Sequence, residues 1–151
     1  MIEIETGTEV MLARRQGRVA VLTFNRPEAR NALHPDTYVA LEHLLPTLAD
    51  DDDVGAVMLT GAGGAFCAGG DVKGMNARNS GEAASPVGWE SAVDDLRARQ
   101  RSVSAALHNF PKVTVAAIDG AAAGAGLSIA LACDLRAVSY THLTLPTNRE
   151  V

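Results

Sequence analysis

The sequence predicts an α/β fold with largely parallel strand pairing. Three observations carry that prediction. Strand-like and helix-like patterns alternate along the chain from its first apolar run to its last. The strand-like runs are apolar on both faces, the pattern of strands covered on both sides. The chain has 151 residues, 47% of them hydrophobic, which suits one domain with a core of its own.

The first predicted strand is residues 18–24, where Ala20, Leu22 and Phe24 alternate with Val19, Val21 and Thr23. Asn25-Arg26-Pro27 closes it, because proline donates no ladder hydrogen bond. Pro35 suits the first position of a helix, and Leu41, Leu44, Leu45 and Leu48 follow on one helical face. Pro46 lies inside that pattern and would clash with the Glu42 carbonyl, which predicts a kink or an early end. The acidic run 50–53 reads as a solvated loop, since adjacent carboxylates cannot all converge on one ion. Residues 54–60 form the next apolar strand, followed by Gly61, Gly63 and Gly64. The short apolar piece 65–68 runs into Gly69-Gly70-Asp71, with Asp71 placed to cap a short helix containing Val72 and Met75.

Residues 76–88, small and polar, read as a mobile loop. Trp89, Val93, Leu96, Val103 and Leu107 mark one face of a long helix that Pro111 stops. Val113–Ile118 is a buried strand and Asp119-Gly120 a turn. Residues 125–133 form a helix whose small residues allow close packing, and Leu135–Val138 begins another strand. The sequence has no internal repeat at solenoid spacing.

Composition narrows the function classes. Lys plus Arg is 13 and Asp plus Glu is 18, a net charge of −5 with no basic block, which argues against nucleic acid and anionic membrane as partners. The uncharged run at residues 120–133 falls short of the roughly 20 apolar residues of a membrane span. The start, MIEIETGTEV, lacks the cationic and apolar regions of a signal peptide. Cys67 and Cys133 stand alone with no CxxC and no zinc spacing, so two buried thiols in a reducing, cytoplasmic compartment and no metal are expected.

Three glycine-rich readings fail on their own spacing. Gly61-Ala62-Gly63 follows a strand, but the third glycine of a dinucleotide fingerprint would fall on Phe66. Gly64 to Gly69 has phosphate-loop spacing, yet Gly70 and Asp71 stand where Lys and Ser/Thr are needed. Gly126-Leu127-Ser128-Ile129-Ala130 imitates a nucleophile elbow, but its strand ends well upstream and only His142 follows, too close behind Asp134. His34, His43 and His108 have no partner spacing and read as helix-surface or capping residues.

Two strand-to-turn-to-helix junctions built from Gly and Ala remain, one over residues 66–71 and one over residues 119–126. Residues without bulk let a ligand approach the backbone, and helix starts carry N–H groups with no intrahelical partner. Two such groups converging on one point would form an oxyanion hole. Tight packing alone also accounts for the small residues, and spacing does not choose between the two readings.

NRPEARNAL (residues 25–33), LTGAGGAFCAGGD (59–71) and IDGAAAGAGLSIALACDLR (118–136) together resemble the crotonase, or enoyl-CoA hydratase/isomerase, family. The resemblance covers about residues 8–137 and implies a superhelix of strand-strand-helix units, truncated before the C-terminal helical region. It implies residues 1–137 as a partial core and 138–151 as a tail that does not match. It also implies an acyl-CoA thioester substrate, coenzyme A entering as part of that substrate with no separate cofactor, and a homotrimer or hexamer for the intact family member. Family members polarise the thioester carbonyl between two backbone N–H groups, which by position fall on Ala68 and Ala125. Phe66, Ala68, Gly69, Gly70, Asp71 and Ala125 match the stretches lining the thioester pocket, and Arg26 and Ala29 match the loop along the nucleotide end of CoA.

Two departures stand out. Ser128 occupies the place of one hydratase glutamate, and counting puts Asn148 at the place of the other, with Glu150 near an untethered end. The resemblance implies hydration of 2-enoyl-CoA, with isomerisation of 3-enoyl-CoA and non-catalytic acyl-CoA binding as alternatives that Ser128 keeps open. With neither carboxylate, the chain as it stands is expected to turn over little substrate. The helices absent from the sequence would leave apolar surface exposed, so an aggregation-prone or loosely folded chain is expected.

Overall fold

The computed structural model describes residues 1–71, 94 and 97–139, the side chain of Gln100 excepted. Its main sheet has six strands, β1 (Ile2–Ile4), β2 (Met11–Gln16), β3 (Val19–Phe24), β4 (Ala56–Gly61), β6 (Val113–Ile118) and β8 (Leu135–Val138), side by side in that order. A second, two-stranded sheet pairs β5 (Ala65–Cys67) with β7 (Ala121–Ala122). The helices are α1 (Pro35–Asp50), α2 (Ala106–His108) and α3 (Ala125–Ala132), with a 3-10 turn at Pro27–Ala29 and a π-helical segment, Gln100–Ala105, running into α2.

From β3 to β8 every pairing is parallel, as the alternation of strands and helices predicts. The antiparallel ribbon β1–β2–β3 was not predicted. Its second strand reads MLARRQ, and the inward face continues from Met11 and Ala13 into the half-buried Arg15 while Leu12 and Arg14 face out, so the apolar alternation is too short to register. Gly17, with φ +58, makes the tight return from β2 to β3.

Register puts Leu22, Leu59 and Ala116 abreast on β3, β4 and β6, all fully buried. Helix α1 lays Ala40, Leu41, Leu44, Leu45 and Leu48 on the same core. Pro35 starts the helix, and the His34 Nδ1 accepts the Asp36 N–H at 3.3 Å. The kink or early end expected at Pro46 does not cut the helix short, which continues to Asp50. Pro46 sits on the exposed side, so water can serve the Glu42 carbonyl it leaves unbonded, while the leucines on the opposite face stay packed. Lys112 closes the far end, its Nζ donating to Leu48 O (2.8 Å) and Asp51 O (2.6 Å) where the helix dipole favours a cation.

The acidic loop behaves as predicted. The Asp51 carboxylate accepts the Asp53 N–H at 2.9 Å, and Asp53 pairs with Arg15 at 3.0 Å, so the carboxylates serve separate partners. Val103 and Leu107 are buried as a helical face should be; Trp89, Val93, Leu96, the loop 76–88 and the short helix that Asp71 was expected to cap lie outside the described residues. The π-helical turn of the segment carrying Val103 was not predicted from its spacing.

Asp134 latches α3 to the sheet. Its carboxylate accepts the Thr114 N–H (2.8 Å) and hydroxyl (2.9 Å), and its own N–H donates to Thr114 Oγ1. Those two donors hold the Asp134 carboxyl below its usual range. Strand β8, at the sheet edge, exposes every residue, and it extends to Val138, one residue past the boundary read at 137. No helix among the described residues is long and apolar enough to cross a membrane.

The α1–sheet contact is expected to dominate stability. Leu44→Ala, at a position 1% exposed, should cost about 2–5 kcal/mol in urea unfolding. Val39→Ala on the same helix, at a position 64% exposed, should stay within about 0.5 kcal/mol.

Candidate functional site

Three backbone segments meet at one end of the small sheet: the loop 25–33, the junction after β5 and the junction after β7. Strands β5 and β7 are parallel, with Ala65 beside Ala121 and Cys67 beside Ala122, so both chains leave the sheet in the same direction. The Ala123 N–H extends the pairing by donating to Cys67 O at 3.0 Å.

The peptide between Cys67 and Ala68 shows which neighbour lies on which side. Its carbonyl faces Ala123 of the β7 junction, and its N–H donates to Arg30 O at 3.0 Å on the loop. The loop and the β7 junction therefore flank the chain on opposite sides, because C=O and N–H of a trans peptide point apart. In a regular strand the peptide two residues on would repeat that orientation. Here it is reversed: the Gly69 carbonyl accepts the Leu33 N–H at 2.8 Å on the loop side. The Gly70 N–H, in the same trans peptide, then faces the β7 junction. Gly69 makes the reversal, with φ +94, a conformation that side chains resist. A Cβ at Gly69 would sit 2.8 Å from Ala123 O and 3.3 Å from Ala125 N, which measures how closely the two junctions approach.

Ala125 is the first residue of α3, so its N–H has no intrahelical acceptor. The next amides are taken, Gly126 N–H by Ala123 O (2.9 Å) and Ser128 N–H by Gly124 O (3.1 Å). Among the described residues neither Gly70 N–H nor Ala125 N–H meets a backbone acceptor. Gly126 seats the helix start on β5: a Cβ there would fall 2.7 Å from the Cys67 Cβ and Sγ and collide with its carbonyl. The packing reading of these small residues therefore holds, and it is compatible with open N–H groups beside it.

Several sequence-predicted roles change. Ala68 does not present a free donor, because its N–H is spent on Arg30 O; the open amide of this junction is Gly70. Phe66 is a core residue, fully buried and edge-on to Phe24 at 5.5 Å and 84°, so its ring is not a pocket wall. Arg26 is engaged by the protein's own groups. Its Nη1 donates to Ala32 O (2.9 Å) and to Asp71 Oδ2 (3.0 Å), and its Nε lies 3.8 Å from Glu28. Ala29 is half-buried in the 3-10 turn, its N–H taken by Arg26 O. Ser128 lies one turn beyond Ala125, its hydroxyl donating to Gly124 O at 3.3 Å. Asn148 and Glu150 fall outside the described residues.

Asn31 is the residue that sequence reasoning missed. It is 1% exposed and left-handed at φ +57, following Arg30 at φ +50. Its Oδ1 accepts the Arg26 N–H (2.9 Å), and its Nδ2 donates to Ala62 O (2.8 Å) and Ala65 O (2.7 Å). Asparagine is among the few side-chain residues that tolerate this backbone region, which was the available signal. A cleft of about 750 Å³ lined by Thr6, Thr8, Val21, Thr23 and Thr60 lies along β2 and β3 and includes none of the junction residues.

The fold and the paired junctions define an α/β protein in which two main-chain amides face each other across neighbouring junctions. A family model described as enoyl-CoA hydratase/isomerase matches residues 14–142. The chain belongs to that family, the crotonases. It is 35% identical over 130 residues to a short-chain-enoyl-CoA hydratase of Clostridium acetobutylicum, covering 85% of this chain and 46% of that protein. It is 35% identical over 152 residues to a 1,4-dihydroxy-2-naphthoyl-CoA synthase of Mycolicibacterium smegmatis, covering 94% and 48%. Among solved structures it resembles Pseudomonas aeruginosa PA4980, with TM-score 0.76 and 35% identity over 89% of this chain and 54% of that one. An enoyl-CoA hydratase/isomerase from Marinobacter aquaeolei gives TM-score 0.75 and 31% identity over 87% and 49%. The chain spans about half the length of the curated relatives it matches.

Burial pushes the Cys67 and Cys133 thiols up to about 11 from an ordinary 9.0. The unfolded chain therefore loses those protons first as pH rises. The stability they contribute is complete below the ordinary thiol value and is lost between there and about 11. Urea midpoints should fall across that window more steeply for the parent than for a Cys67→Ala/Cys133→Ala double variant. Gly126→Ala should cost about 1–3 kcal/mol, because the helix start must lift off Cys67, read as a lower urea midpoint.

Proposed function

We propose that the chain holds an acyl-CoA thioester with its carbonyl oxygen between the Gly70 and Ala125 N–H groups, the polarising site of an enoyl-CoA hydratase/isomerase. One observation carries the reading: the peptide reversal at Gly69 turns the Gly70 N–H toward the junction whose Ala125 N–H begins α3. Negative charge developing on a thioester oxygen there meets two fixed donors and the positive end of a helix dipole. Each such donor is typically worth about 3–4 kcal/mol in the transition state. The named relatives, enoyl-CoA hydratases and a naphthoyl-CoA synthase, share a CoA thioester, which supports the same substrate class here. Coenzyme A then enters as part of the substrate.

Polarisation alone does not move a proton. Ser128, whose hydroxyl donates to Gly124 O, is no base at neutral pH, and a positioned acid or base is typically worth 10²–10⁴-fold. Hydration of 2-enoyl-CoA is the reaction we assign to the site type. Isomerisation of 3-enoyl-CoA is the second reading, favoured by the missing carboxylate at 128, and a binding role without turnover is the third.

Infrared spectra of bound butyryl-CoA labelled with ¹³C at the carbonyl test the reading. The stretch should move to lower frequency in the parent chain. It should return toward the free value in Ala125→Pro, which deletes one N–H at a helix position that accepts proline. An unshifted carbonyl in the parent contradicts the proposal. Turnover assays with 2-enoyl-CoA and 3-enoyl-CoA separate the three readings, and the expected result is little conversion of either by the chain as it stands.

A further inference from the structure

The reversed peptide needs something to keep it reversed. Gly69 and Gly70 are the two most permissive residues the chain could place there, and a flip of the peptide between them would turn the Gly70 N–H back toward the loop. On its N-terminal side the segment is held by Ala68 N–H to Arg30 O, and in its middle by Leu33 N–H to Gly69 O. The parallel bridge of Leu33 with Gly70 runs the loop alongside it. On its C-terminal side a side-chain contact adds to that backbone bridge: Arg26 Nη1 grips the Asp71 carboxylate at 3.0 Å while also donating to Ala32 O at 2.9 Å. Both side chains are largely buried, 20% and 16% exposed, so solvent screens the pair weakly.

The loop that carries Arg26 is itself a constrained piece of backbone. Arg30 and Asn31 are both left-handed, a conformation that persists only where surrounding contacts over-determine it. Asn31 supplies those contacts, joining the Arg26 N–H to the carbonyls of Ala62 and Ala65 on either side of the turn into β5. One loop thus grips the β5 junction both before and after the reversed peptide.

We infer that Arg26 is a positioning residue: by holding Asp71 against the loop it fixes the Gly69–Gly70 peptide with the Gly70 N–H facing Ala125. The inference rests on the proposed thioester site, and it gives this arginine a role at the thioester end in addition to the loop match along the nucleotide end of CoA that the family resemblance implied. Its effect is on how strongly a bound carbonyl is polarised, not on how tightly CoA is held.

The probe is 4-dimethylaminocinnamoyl-CoA, whose absorption moves to longer wavelength when its thioester carbonyl is polarised. Titrations use the full chain, Arg26→Gln, Arg26→Lys and Asp71→Asn, with circular dichroism spectra confirming fold in each. The parent should bind the probe with a red shift. Arg26→Gln and Asp71→Asn should each lose at least half of that shift while the dissociation constant changes less than about threefold, and Arg26→Lys should recover part of it. A full red shift in Arg26→Gln overturns the inference and leaves the thioester site standing. So does a loss of affinity for probe and free CoA alike with the shift of the bound fraction unchanged, the mark of a phosphate contact. Should Arg26→Gln not fold, Asp71→Asn and Arg26→Lys decide by the same criterion. A parent that binds with no red shift overturns the thioester site and the inference together.

Discussion

The parallel pairing of β5 with β7, extended by the 3.0 Å hydrogen bond from Ala123 N–H to Cys67 O, is the constraint on which the candidate site depends. Strands that run the same way end on the same side, so their two junctions emerge as neighbours although their residues are more than fifty positions apart in sequence. Everything placed around that pair serves the close approach. Gly126 lets α3 sit on Cys67, and Gly69 lets its chain pass beneath Ala123 O without a side chain in the way. A lost 3.0 Å bond at Cys67 O would loosen two donors that no side chain among the described residues ties together.

The second requirement is a source of order for backbone that is intrinsically loose. Consecutive glycines have the most conformational freedom to lose, and a donor pair is useful only when preorganised. The loop 25–33 supplies that order through buried polar contacts of which Asn31 makes three, and through the Arg26–Asp71 ion pair. The strain of two adjacent left-handed residues is the cost, about 1–3 kcal/mol each for non-glycine residues as a class, with asparagine toward the lower end.

Much of the frame was legible in the sequence because apolar, β-branched runs mark strands and leucines at helical spacing mark a packed face. Val113–Ile118 and Leu135–Val138 are strands with the boundaries read from pattern alone, and Leu41, Leu44, Leu45 and Leu48 face the core as their spacing requires. The early end read as one outcome at Pro46 does not occur, because the proline lies on the side of the helix that faces water. The ribbon β1–β2 was hidden because a charged residue, Arg15, follows Met11 and Ala13 on its inner face and breaks the apolar alternation. The site was legible as a pair of Gly/Ala junctions, but not at the level of single amides. Whether Ala68 or Gly70 offers its N–H depends on one peptide plane, and the sign of φ at Gly69 is not written in a run of small residues. Asn31 was overlooked because its value lies in the αL backbone it occupies, which no hydrophobic pattern announces.

The central claim is that Gly70 and Ala125, and not Ala68, are the amides that meet a thioester oxygen. Amide proton shifts in ¹H–¹⁵N spectra of the chain, titrated with butyryl-CoA, test it residue by residue. The Gly70 and Ala125 protons should move downfield together as the carbonyl accepts from both, while Ala68, bonded to Arg30 O at 3.0 Å, stays in place and exchanges slowly with solvent before and after binding. A downfield move at Ala68 with Gly70 unmoved would contradict the account.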